Sequence, residues 1–114
     1  MKIYHNPRCR KSRDGVEYLS SKGIDFEIIY YLKNPLSKKE IKLLVSKLGI
    51  SISDLIRKNE KIWKENFKDK NLSEKELIKM LLKEPKLIER PIIESKNLAV
   101  IGRPKENIDL LFNN

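Results

Sequence analysis

The stretch KIYHNPRCRKSRDGVEYLSSKGIDFEI, Lys2 to Ile28, decides the fold. Its opening residues, Lys2-Ile3-Tyr4-His5, read as a short strand, and Asn6-Pro7 is a turn signal that ends it. A helix is expected from about Lys11, with Val16, Leu19 and Ser20 on one face. Lys22-Gly23 stops it, because glycine takes the left-handed exit conformation cheaply. Ile24-Asp25-Phe26-Glu27-Ile28 then alternates apolar and polar, the mark of a half-buried strand. Strand, crossover helix and strand make a β-α-β unit whose parallel strands are joined right-handedly.

A helical middle follows. Ser37-Lys38-Lys39-Glu40 is a capping box. It opens a helix with Ile41, Leu44, Val45 and Leu48 on one face, closed by Gly49. Ser51 or Ser53 caps a short piece through Leu55 and Ile56. Lys58 to Leu72 reads as charged and irregular, anchored by Trp63 and Phe67. Ser73-Glu74-Lys75-Glu76 is a second capping box, ahead of Leu77, Met80 and Leu81, and Pro85 ends that helix. Two strands, Pro91 to Glu94 and Leu98 to Ile101, are joined by Ser95-Lys96-Asn97, as in an antiparallel hairpin. Pro104 is expected in the first turn of a last helix carrying Ile108 and Leu111. The order β-α-β, helical insertion over about 37–85, then β-β-α is a thioredoxin-like α/β pattern in one domain over 1–114.

Composition narrows the function. The chain has 114 residues and a formal net charge of +9. Six arginines stand against nineteen lysines. No apolar run is long enough for a membrane helix, and the N-terminus has no apolar segment of the secretory kind. One cysteine excludes an internal disulfide, so a reducing, cytoplasmic setting is expected. One cysteine and one histidine argue against a protein-built metal site. The basic excess suggests nucleic acid or an acidic partner. Most of it is lysine, however, and Lys38, Lys42, Lys75 and Lys79 fall on polar helix faces.

Cys9 is the chemical centre. It sits between the first strand and first helix, at the carboxyl end of a strand, where α/β sheets bind ligands. Free N–H groups and the helix dipole stabilise an anion there, and a thiolate is one. Arg8, Arg10, Lys11 and Arg13 add positive charge, and His5 is close in sequence. A buried, inert cysteine would not have arginine on both sides. A Cys-x5-Arg phosphatase loop fails, because its arginine position holds Gly15. A Cys-x-x-Cys pair fails, because its second position holds Ser12. Oxidised or loaded Cys9 therefore needs an external thiol to regenerate it. Ser12 either offers a hydroxyl to the thiolate or simply occupies the first helical turn. Arg57, Arg90 and Arg103 lie far from this loop in sequence, and arginine grips oxyanions with a planar fork that lysine lacks.

The segments Ile3-Tyr4-His5-Asn6-Pro7-Arg8-Cys9 with Ser12-Arg13, Asn34-Pro35, Leu55-Ile56-Arg57-Lys58-Asn59, Glu89-Arg90-Pro91-Ile92 and Arg103-Pro104 resemble the ArsC-like arsenate reductases of the glutaredoxin-dependent type. The resemblance spans about the whole chain. It implies a thioredoxin-like fold and the reduction of arsenate to arsenite. It implies that Cys9 is the nucleophile, that Arg57, Arg90 and Arg103 hold the oxyanion, and that His5 and Ser12 tune the thiol. It makes Pro91 the cis-proline facing the cysteine. Glutathione as co-substrate and glutaredoxin as partner would supply electrons to a monomeric chain with no bound cofactor. Arg10 and Lys11 depart from the pattern, being bulky where small residues are common. A related reading is an Spx-like regulator that binds RNA polymerase, although Ser12 removes its usual cysteine pair. A third is another thiol-redox activity at the same site.

Overall fold

A computed structural model describes residues 1–112. Their path divides into two compact units, Met1–Asn34 with the stretch from Arg90 onward, and Pro35–Glu89. In the first unit the elements are β1 (Lys2–Tyr4), α1 (Arg10–Ser20), β2 (Glu27–Ile29), β3 (Ile92–Glu94) and β4 (Ala99–Ile101). A 3-10 helix, Lys105–Leu111, follows. The sheet runs β2-β1-β3-β4, with β1 parallel to β2 and antiparallel to β3.

Register explains the core. Ile3 faces Ile28 on one side and Ile93 on the other, and Ile93 faces Val100. Alternation puts all four on one side of the sheet. Ile3, Leu19, Ile93, Ile108 and Leu111 form the buried cluster there, with Val16 of α1 packed against it. Each such side chain contributes roughly 1.5–3 kcal/mol on burial. On the other side Tyr4, Ile92 and Glu94 are also buried. The Tyr4 hydroxyl donates to Glu94 Oε1 at 2.7 Å, so this carboxylate is not left bare.

Gly15 has a steric reason in this unit. A Cβ on Gly15 of α1 would stand 2.7 Å from Pro91 Cγ. Helix interiors disfavour glycine by about 1 kcal/mol relative to alanine, yet here only hydrogen fits.

Two expectations for this unit shift. The second strand is Glu27–Ile29 rather than Ile24–Ile28, because β1 begins at Lys2 and pairs it with Glu27. Ile24 and Phe26 instead pack against the core from the turn. The last helix is a 3-10 helix, and Pro104 stands before it in extended conformation, φ −66° and ψ 160°, rather than in its first turn.

The second unit holds α2 (Lys38–Leu48), a 3-10 turn Ile52–Leu55, α3 (Lys61–Asn66), α4 (Glu74–Lys83) and a 3-10 turn Pro85–Leu87. Both capping boxes form, Ser37 with Glu40 and Ser73 with Glu76. Gly49 closes α2 at φ 68°, a left-handed conformation natural to glycine. α4 contacts α2 and both 3-10 turns, burying Leu77, Ile78, Met80 and Leu81. The helix α3 corrects the irregular reading of Lys58 to Leu72. It buries no residue, so hydrophobic spacing carried no trace of it. Within it and just after it, the Trp63 and Phe67 ring centroids stand 6.0 Å apart and Lys61 lies 3.7 Å from Glu65. Among the described residues, no helix is long and apolar enough to cross a membrane.

Candidate active site at the first helix

Asn6 shapes the loop that presents Cys9. Its side-chain oxygen accepts from Arg8 N–H at 3.1 Å, and its carbonyl accepts from Cys9 N–H at 3.0 Å. Such a turn is natural to asparagine, whose short side chain bonds its own backbone two residues on. Cys9 is thereby delivered to the N-cap of α1, with extended φ and ψ, and its carbonyl accepts the helix's first bond from Arg13 N–H at 3.0 Å. Arg13 folds back and donates from Nη1 to the Pro7 carbonyl at 2.8 Å.

The thiol is partly exposed. Burial pushes its pKa up, but the N–H of Ser12, the Arg90 guanidinium and the N–H of Lys11 together outweigh burial and hold it below the ordinary value. The sulfur makes no cap hydrogen bond of ordinary geometry, and the two N–H groups act on it with the positive ends of their dipoles. The result is a cysteine that reaches the thiolate, the nucleophilic form, at lower pH than a free thiol does.

His5 and Ser12 are both buried, and His5 Nδ1 lies 2.7 Å from Ser12 Oγ. The direction of that bond follows the imidazole tautomer. Ser12 Oγ also accepts from Asn6 N–H at 3.0 Å. The Ser12 hydroxyl is thus turned to His5 and Asn6, while its backbone N–H serves the sulfur. Burial, and then the charge of Arg13, lower the His5 pKa, which favours the neutral imidazole. Tyr30 flanks it, ring centroids 5.8 Å apart.

Arg90 is buried, only 7% exposed, and bears on the Cys9 sulfur. Arg103 Nη1 is 3.5 Å from the Arg90 carbonyl. Cys9, Arg90 and Arg103 are therefore linked within one unit. The Arg90–Pro91 and Arg103–Pro104 peptide bonds are both cis. Arg57 belongs to the other unit. There its guanidinium lies 3.4 Å from Glu60 and 3.6 Å from Glu89. Its backbone N–H donates to Leu87, and Glu89 N–H donates to Leu55, so the two segments pair as a short antiparallel bridge.

Sequence reasoning missed Gly15, Tyr30, Glu60 and Glu89. Gly15 carried a usable signal, since glycine inside a helical pattern marks a close approach. Glu60 and Glu89 gave none, because their pairing with Arg57 depends on the bridge.

A mixed four-stranded sheet ordered β2-β1-β3-β4, with a cysteine at the N-cap of its first helix, is the thioredoxin-like arrangement. The ArsC family model matches residues 4–111. The chain belongs to the ArsC family. It is 42% identical over 110 residues to the uncharacterized protein YfgD of Escherichia coli (strain K12), covering 95% of this chain and 92% of that one. It is 38% identical over 114 residues to an arsenate reductase of Neisseria meningitidis (strain MC58), covering 98% and 97%. The solved structure of an arsenate reductase from Vibrio cholerae superposes with a TM-score of 0.89 at 39% identity, covering 95% of each chain.

Proposed function

We propose that this chain is a thiol-dependent arsenate reductase with Cys9 as nucleophile. One observation carries the reading: Cys9 stands at a helix N-terminus, and the buried Arg90 acts on its sulfur to lower its pKa. Similarity to proteins named arsenate reductase over nearly their whole length supports the substrate. The Cys9 thiolate attacks arsenic, an As–S bond forms and an arsenate oxygen leaves as water. Arg90 and Arg103 offset the negative charge that gathers on the oxygens. The family pattern adds Arg57 to this set. A glutathione thiol then attacks the Cys9 sulfur. The As–S bond breaks with its electron pair going to arsenic, which leaves as arsenite. The Cys9–glutathione disulfide that remains is reduced by glutaredoxin with further glutathione. Overall, two thiols become one disulfide as arsenic gains two electrons. With no second cysteine in the chain, the last step needs that outside thiol.

Arsenite release in the presence of arsenate, glutathione and glutaredoxin tests the proposal. The wild-type chain is expected to turn over, and Cys9→Ser to be inactive. Arsenite production by Cys9→Ser above the protein-free background would sink the mechanism.

A further inference from the structure

α3 buries no residue, and Ile62 and Phe67, within it and just after it, are left half-buried. With Leu72 they line a cleft of about 580 Å³ in the second unit. Small-molecule sites span roughly 300–1,000 Å³. One stripe of α4 lines the same cleft. Glu76, Lys79, Met80 and Lys83 recur at helical spacing, which puts them on one face. Met80 is buried there and gives the cleft an adaptable apolar floor.

The charge of the lining is unequal. Lys70, Lys79 and Lys83 are exposed along it. Lys70 is held on apolar surface, with Nζ 5.8 Å from the Phe67 ring centroid. Glu76 is engaged elsewhere, since its Oε1 accepts from Ser73 N–H at 3.0 Å in the capping box. Among the described residues of the lining, three ammonium groups thus stand with one carboxylate outside a capping bond, Glu84. An inorganic oxyanion gains nothing from an apolar floor. An apolar cation would meet three like charges. A ligand with an apolar body and an anionic head uses both features.

We propose that this cleft binds amphipathic carboxylates of the fatty-acid class, the chain against Met80 and Phe67 and the head toward the lysines. The site is independent of the Cys9 chemistry, which belongs to the other unit.

Dodecanoate, kept below its micelle-forming concentration, is the probe for the full chain. Calorimetry reads affinity and stoichiometry, and methionine-methyl NMR reads the place of binding. The chain has two methionines, Met80 in the cleft and Met1 in the other unit, so Met1 is an internal control. One-to-one binding that shifts Met80 and leaves Met1 unmoved is expected. Lys79→Glu and Lys83→Glu are each expected to weaken it about three- to fivefold, the scale of an exposed ion pair. Lys38→Glu, an equal charge change on α2, is expected to alter it less than about twofold, because salt screens distant charges. Acetate, the head without the chain, is expected to leave Met80 unmoved. Dodecyltrimethylammonium, the same chain with a cationic head, is expected to bind about tenfold more weakly or worse. Equal binding of the two long-chain probes overturns the proposal, and so does a Met80 methyl that does not shift. Equal weakening by Lys38→Glu reduces the effect to long-range charge and overturns it too. A short oligo-dT that shifts Met80 where dodecanoate does not would give the cleft to single-stranded nucleic acid instead.

Discussion

Burial alone would raise the Cys9 pKa; the Ser12 N–H, Arg90 and the Lys11 N–H together outweigh it and lower the pKa instead. Of these, only Arg90 is supplied by a side chain, so it is the one that substitution removes cleanly. Arg90→Lys is expected to lose more arsenate turnover than Lys75→Ala, because a compact ammonium cannot reproduce a planar two-bond grip. Equal kcat/KM in the two variants would remove Arg90 from the oxyanion site. Much of this neighbourhood was legible in the sequence. The place of the cysteine at the start of the first helix was legible, but the flanking Arg8, Arg10 and Arg13 that the sequence offered as its charge are not among the groups that lower its pKa, and Arg90 is. The arrangement of Ser12 was not legible. Residue type announces a hydroxyl but not that the hydroxyl turns to His5 and Asn6 while the backbone turns to sulfur. That division depends on where the helix begins, which sequence fixes only to within a residue or two.

The elements differ in how openly they declare themselves. α2 and α4 carry capping boxes and buried apolar faces, and both follow the sequence reading closely. α3 has neither a capping bond nor a buried residue, so its six residues were invisible to pattern. The second strand was misplaced because its edges come from pairing with β1, a non-local fact. For α1, the informative residue is Gly15. Gly15→Ala gains helix propensity of about 1 kcal/mol but inserts a methyl against Pro91, an overpacking that costs about 1–3 kcal/mol. A net loss of about 1 kcal/mol in urea unfolding is expected, with a larger loss for Gly15→Val. A stabilised Gly15→Ala would show that α1 has room to move away.

Two titrating groups of the candidate site tie the stability of the whole molecule to pH. The folded state holds the His5 pKa below 6.5, through burial first and the Arg13 charge second. The unfolded chain takes that proton more readily, so stability present above pH 6.5 is lost as pH falls toward the folded value. The Cys9 pKa lies below 9.0 when folded, despite its burial, through the Ser12 and Lys11 N–H groups and Arg90. Its contribution is complete above pH 9.0 and declines as pH falls toward the folded value. Urea midpoints are therefore expected to fall in both windows, with Cys9→Ser flattening the alkaline one and His5→Asn the acidic one. A His5→Asn midpoint that declines below pH 6.5 as steeply as wild type would assign the acid sensitivity elsewhere. The net charge of +9 bears on none of this directly, for Lys38, Lys42, Lys75 and Lys79 are exposed on helix faces. The contact between Gly15 and Pro91 has a reach beyond packing. In a saturation-mutagenesis map scored by activity, position 15 would stand out as sharply intolerant among permissive helical neighbours. It would wear the signature of a reactive residue, although a glycine has no side chain with which to react. What such a map would register there is the clearance between a helix and a proline ring.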